Sequence, residues 1–206
     1  MRSFAAVCCL AVWLIAVLPG SAAAAPPAVV AEDKAQVLEQ KAAEQGREAS
    51  VPSDQAITRS EVQAVDPKGE AALDDAITCL ARTLYWEAKG GEAADMQGVA
   101  SVVMNRLGHE GFPGTVCEVV KQGIKERTCQ FSWWCDGRSD DVEEPVQYTV
   151  AKEIARKALN QQLTDSTDGA MYFHDRHVHP AWARTYLKTA ETPRFLFYKP
   201  RAGEAR

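Results

Sequence analysis

A chain of 206 residues, 46% hydrophobic and 25% charged, is long enough for one ordinary globular domain with appendages and too short for two large ones. Its formal net charge of −5 at pH 7 excludes the clustered Lys and Arg that nucleic-acid binding requires.

Residues 1–24 have the layout of a secretory signal peptide: Arg2, an apolar run from Phe4 to Leu18, then Pro19-Gly20 and small residues ending near Ala24. A membrane anchor needs about 20 apolar residues, and this run is shorter. Cys8 and Cys9 lie inside the run and leave with it, too early to be a lipoprotein cysteine at the cleavage site. An exported protein, periplasmic or extracellular, with no transmembrane segment after cleavage is expected.

Residues 25–75 contain no aromatic residue, few large aliphatics, and 11 acidic against 5 basic side chains. Such a stretch buries little apolar surface, so a flexible acidic linker is expected, with transient helix around "EDKAQVLEQKAAEQ". The remaining unit, residues 76–206, is balanced in charge and is expected to carry the fold and the chemistry.

The first helix of that unit is predicted over about Asp75 to Ala88, with Asp74 or Asp75 as N-cap and Gly90-Gly91 as the stop. Ile77, Leu80, Ala81, Leu84 and Ala88 recur at helical spacing and define its buried stripe. Glu87 stands seven residues after Leu80 and three after Leu84, so it projects from the same stripe; a solvent-face position would need it on the side of Arg82, where it is not. Burial and the negative end of the helix dipole both disfavour its anion. A carboxyl kept protonated near neutral pH is what a general acid needs; Lys89 or Arg82 folding back would oppose the shift.

A second helix, about Glu92 to Leu107, is mostly small and apolar, with one uncharged polar stripe: Gln97, Ser101 and Asn105. That stripe is either a narrow solvent face or the floor of a groove for a neutral polar ligand such as a sugar. A turn at Pro113-Gly114 precedes a short third helix through Val116, Val119 and Val120. "CQFSWWCDG" follows, and its Phe131, Trp133 and Trp134 show neither helical nor alternating spacing. Aromatics on a loop suit stacking against sugar rings, with Gln130, Ser132 and Asp136 for the hydroxyls, although at least one tryptophan is expected to anchor the loop in the core. A fourth helix is predicted from Pro145 to Asn160, with Pro145 in its first turn. "GAMYFH" and "RFLFYK" are short, aromatic-rich strand candidates, and "HDRHVHPAWA" between them holds His174, His177 and His179. Those histidines share no single face with one another, so no metal site is expected from them; a single histidine donating into a cleft suits them better.

Four cysteines remain after export: Cys79, Cys117, Cys129 and Cys135. An even count in an exported chain favours disulfides over zinc, since the spacings contain no C-x-x-C. Three pairings are open, and the short Cys129–Cys135 interval is the preferred small loop.

"CLARTLYWEAKGG", "MQGVASVVMNR", "FPGTVCEVV", "CQFSWWCDG" and "GAMYFHDRHVHPAWA" resemble, in this order, the motifs of the SleB-type cell wall hydrolase family, named for spore cortex-lytic enzymes. The resemblance spans about Ala76 to Lys199. It implies an α+β, mainly helical, lysozyme-like domain with a small antiparallel sheet, related to lytic transglycosylases. It also implies that Glu87, the glutamate of "Y-x-E-A", is the catalytic acid. Gln130, Phe131 and Ser132 match the loop beside the glutamate, and Tyr172 and His174 match the strand that faces it; Trp133 and the stripe Gln97, Ser101 and Asn105 complete the expected substrate-binding set. The family's "G-x-H-x-F-Y-R" is replaced here by "TPRFLFYKP", which lacks the histidine.

The activity expected from this resemblance is cleavage between N-acetylmuramic acid and N-acetylglucosamine in peptidoglycan by a monomer without cofactors. No second carboxylate is evident in the first two helices, which favours a lytic transglycosylase over a muramidase-type hydrolase. A non-catalytic peptidoglycan-binding protein and a metal-dependent amidase are the other readings.

Overall fold

The computed structural model describes residues 24–47, 50–123 and 129–201. The expected signal peptide therefore lies, but for Ala24, outside the described residues. Among the described residues, six α-helices and a three-stranded antiparallel sheet form an α+β, mainly helical architecture.

Helix α3, Ala76–Glu87, is the central rod, packed against α1 (Pro27–Gln45), α4 (Ala93–Arg106), α5 (Val116–Val120) and α6 (Pro145–Leu159). Its N-cap is Asp75, whose side chain accepts from the Thr78 amide at 2.9 Å. Ile77, Leu80, Ala81, Leu84 and Ala88 are fully buried, as the stripe predicts, and Tyr85 beside them is buried as well. So is Arg82, at 1% exposure, which corrects the expectation of a solvent side. Nε of Arg82 donates to Asp66 Oδ2 at 2.9 Å, and the Tyr148 hydroxyl donates to the same oxygen at 2.7 Å. A buried charge is tolerated where it is paired and hydrogen-bonded in this way.

The segment 25–75 is not a flexible linker. Helix α1, Pro27–Gln45, buries Ala31, Ala35, Leu38 and Ala42, spaced four, three and four apart on one face. Three alanines and one leucine make a stripe of low hydrophobicity, but small side chains let a helix approach closely, and α1 packs on α2, α3 and α6. Helix α2, Arg59–Ala64, begins with a capping box: Thr58 accepts from the Glu61 amide, and Glu61 accepts from the Thr58 amide. Lys34 of α1 pairs with Glu61 at 2.9 Å, and Glu39 accepts from the Val116 amide at 2.8 Å at the start of α5, Val116–Val120. The ordered fold therefore begins well before residue 76.

Helices α4, Ala93–Arg106, and α6, Pro145–Leu159, lie within a residue or two of their predicted bounds. The sheet is ordered β1-β3-β2, with β1 Tyr172–Asp175, β2 Leu187–Glu191 and β3 Phe195–Lys199. Tyr172 pairs with Tyr198 and Asp175 with Phe195. Strand β2 was not legible in advance, because its residues are largely exposed and carry a bulge at Lys188/Ala190. The sheet docks on α4 through Phe197, whose ring lies where a Cβ on Gly98 would sit, 2.3 Å away. Any larger residue at 98 would push the sheet off the helix.

Disulfides join Cys79 to Cys117 and Cys129 to Cys135. The first ties α3 to α5; the second closes the aromatic loop.

Candidate active site

Glu87 is the last residue of α3, and the chain leaves the helix through Ala88 and through Gly90, whose φ of +78° suits glycine. Glu87 is partly buried in a cleft of about 530 Å³. Trp86, Lys89 and Arg194 share its walls, with Ser132 and Trp133 from the disulfide loop and Asp136, Arg138, Ser139 and Glu143 from the segment beyond.

Helix α3 also fixes that far wall. Arg82 Nη1 donates to the Asp140 carbonyl at 2.5 Å and the Trp86 indole N–H to the same carbonyl at 3.1 Å. The Tyr85 hydroxyl accepts from the amides of Glu143 and Glu144, both at 3.1 Å. Lys89 pairs with Glu143 and lies 4.5 Å from the centre of the Trp86 ring.

Burial pushes the Glu87 carboxyl up to about 7, against the opposing pull of Arg194, Arg106 and the Ser132 amide. The direction is the one its position predicts; the opposing cations are not. Arg82 is committed to Asp66 and Lys89 to Glu143, whereas Arg106 and Arg194 act on the acid. Arg106 is 2% exposed, donates from Nε to the Met171 carbonyl at 2.7 Å, and lies over the rings of Phe112, Phe131 and Tyr172. Its place was detectable: Arg106 stands seven residues after Val99 and three after Val103, the same spacing that singles out Glu87 on α3. Arg194 carried no such signal, since it lies in the turn between β2 and β3.

The other expected site residues divide. Ser132 and Trp133 line the cleft, Trp133 at 7% exposure with an indole N–H that finds no acceptor among the described residues. Gln130 is exposed beside the site and accepts from Arg106 Nη2 at 3.4 Å. Phe131 offers no sugar face: it is fully buried, 6.2 Å from the Phe173 ring, and anchors the loop. The stripe of α4 does not floor the groove either. Ser101 is fully buried, and Asn105 accepts from Arg47 at 2.8 Å while donating to Asp165 and the Ala170 carbonyl, both at 3.0 Å. Gln97 is partly buried and does not line the cleft. The polar stripe instead joins α4 to the residues after α1 and the turn before β1.

Tyr172 is nearly buried and touches the site through Arg106. His174 lies on the same face of the sheet, stacked at 5.2 Å on Tyr198, with Nε2 3.1 Å from the Tyr198 hydroxyl. It is not among the residues that line the Glu87 cleft. Among the described residues, no group of three or more His, Cys, Asp or Glu side chains is gathered to hold a metal ion, and no helix is long and apolar enough to cross a membrane.

What this arrangement can do chemically is donate a proton near neutral pH to a group bound in the cleft. Neither a curated protein nor a solved structure matches the chain. The sequence pattern of the family described as Cell Wall Hydrolase matches residues 90–198, which take in α4, the disulfide loop, α6 and all but the end of the sheet, and begin three residues after Glu87. With more than half of its length matched, the chain belongs to the cell wall hydrolase family.

Proposed function

We propose that this protein cleaves the β-1,4 bond between N-acetylmuramic acid and N-acetylglucosamine, with Glu87 as general acid and then general base of a lytic transglycosylase. The observation that carries the reading is a carboxyl pushed up to about 7 by burial, lining a cleft together with Trp86 and Trp133. Such a group is protonated at the start of the reaction and gives up its proton without a large penalty. Glu87 protonates the glycosidic oxygen as the bond to the muramoyl C1 breaks, and the N-acetylglucosamine leaves as an alcohol. The Glu87 carboxylate then takes the proton of the muramoyl 6-hydroxyl, whose oxygen closes on C1. The product is a 1,6-anhydro ring, no water is consumed, and the acid is restored.

One observation favours a second reading. Asp136 and Glu143 line the same cleft, so carboxylates are available to activate a water or attack C1, as a muramidase-type hydrolase requires. Glu143 is held by Lys89, which leaves Asp136 as the candidate. Export to an oxidising compartment belongs to either reading and is supported by the two disulfides.

The deciding experiment is mass spectrometry of purified peptidoglycan digested by the full chain made under oxidising conditions. Anhydromuramoyl ends support the transglycosylase, reducing ends select the hydrolase, and intact glycan rejects both.

A further inference from the structure

Arg194 occupies an unusual place. It ends the turn between β2 and β3, where the Thr192 amide donates to the Phe195 carbonyl at 2.9 Å and the Phe195 amide donates to the Thr192 hydroxyl at 3.1 Å. Its own amide donates to Asp95 Oδ1 at 3.1 Å, while Asp95 Oδ2 accepts from the Glu92 amide at the start of α4. The guanidinium is gripped as well: Nη1 donates to the Lys89 carbonyl at 2.8 Å, and Nε to Asp175 Oδ2 at 3.2 Å. A turn of the sheet, the start of α4 and the exit from α3 thus converge on one residue, the first two through its backbone and the last through its guanidinium. Arg194 also lines the Glu87 cleft.

We propose that Arg194 is a positioning residue of the active site: fixed by Asp175 and the Lys89 carbonyl, its guanidinium governs the proton affinity of Glu87 and locks the sheet to the exit of the catalytic helix. A charge held rigidly in a partly desolvated cleft acts more strongly than one free to swing into water. Most other charges on the cleft are paired among themselves. Lys89 is paired with Glu143 and Arg138 lies beside Asp136; Arg106 also acts on the acid, from a place packed among the rings of Phe112, Phe131 and Tyr172. Asp175, in β1, holds Arg194 and also sets how much of its charge reaches the cleft. The balance between Arg194 and Asp175 is therefore the adjustable element of this site, and the two should act with opposite sign. This inference deepens the reading of Glu87 as the acid.

The test is a carbon-13 NMR titration of the Glu87 carboxyl in the full chain carrying labelled glutamate, assigned by the signal lost in Glu87→Gln. Arg194→Gln is expected to raise the titration midpoint by about one unit, the effect of removing a nearby opposite charge. Arg194→Lys, which keeps the charge, is expected to restore most of the wild-type value. Asp175→Asn, which leaves the cation less compensated, is expected to lower the midpoint. A midpoint unchanged in both Arg194→Gln and Asp175→Asn overturns the proposal, and if Arg194→Gln does not fold, an unchanged Asp175→Asn does so alone. The same shifts should appear in the alkaline limb of the pH profile for peptidoglycan cleavage. Because the titration needs no substrate, shifted midpoints in a protein that cleaves no glycan would sink the catalytic reading and leave the coupling standing. Glu87-dependent cleavage with unshifted midpoints would sink only the role of Arg194.

Discussion

Arg82 and Asp66 meet at 2.9 Å with side chains 1% and 2% exposed, on the same helix whose last residue is Glu87. Arg82 also reaches the Asp140 carbonyl, so one buried guanidinium joins the segment before α3 to the far wall of the cleft. Removing one partner of a buried pair strands the other charge. Arg82→Ala is therefore expected to cost about 3–5 kcal/mol, measured as a lowered urea midpoint. Arg82→Lys should recover only part of this, because a single ammonium lacks the donor fork that reaches both Asp66 and Asp140.

Glu87→Gln keeps the shape of the side chain and removes its proton. Peptidoglycan cleavage is expected to fall by about 10²–10⁴-fold, the range for a general acid, with circular dichroism unchanged. Undiminished turnover in this variant would end the assignment of Glu87.

The same substitution has a stability signature of definite sign. Glu87 titrates near 7 in the folded chain, above the usual 4.5, so the folded state binds the proton more tightly than the unfolded state. The resulting penalty is absent below about pH 4.5, grows as pH rises, and is complete above about pH 7. Glu87→Gln escapes it. Relative to wild type, the variant is expected to gain stability between these limits, reaching on the order of 3 kcal/mol at 1.36 kcal/mol per unit. Thermal melts of both proteins at pH 4.5 and 8 would show the crossing; parallel behaviour would contradict a buried, raised acid. In activity, cleavage is expected to decline as pH rises through the region near 7.

Leu38 is the largest residue on the buried face of α1 and is 1% exposed. Leu38→Ala is expected to cost about 2–5 kcal/mol, as for other buried leucines, read by chemical denaturation. Were residues 25–75 a mobile linker, the substitution would change nothing.

The two disulfides should separate stability from activity. Cys79 is fully buried and its bridge spans a separation of 38 residues, so Cys79→Ala with Cys117→Ala is expected to cost about 2–5 kcal/mol. The Cys129–Cys135 bridge closes only a short loop, but that loop carries Ser132 and Trp133 into the cleft. Its removal by paired serine substitutions is expected to lower cleavage more than the thermal midpoint. The opposite ranking would place the loop outside the catalytic machinery.

Local order was legible where strong periodicity met clear punctuation. Helix α3 emerged from the stripe led by Ile77, Leu80 and Leu84 between Asp75 and the double glycine, α6 from Pro145 in its first turn, and β1 and β3 from dense aromatics. Helix α1 was expected only as transient helix in a flexible linker because its stripe is mostly alanine, which resembles a disordered composition until a partner surface shows that close approach replaces bulk. Strand β2 was missed because an edge strand with a bulge has little alternation to display.

At the site, the sequence by itself determined that Glu87 projects from a buried stripe at the end of a helix, because 3.6-residue periodicity links it to Leu80 and Leu84. It could not determine which side chains face that carboxyl. Arg106, Arg194 and Ser132 come from three other segments, and their effect depends on distance and shielding from water, which exist only once the chain is folded. The same reason moved Phe131, Ser101 and Asn105 away from the cleft: a polar or aromatic side chain on the correct element becomes a binding group or a packing group according to what the rest of the fold lays over it.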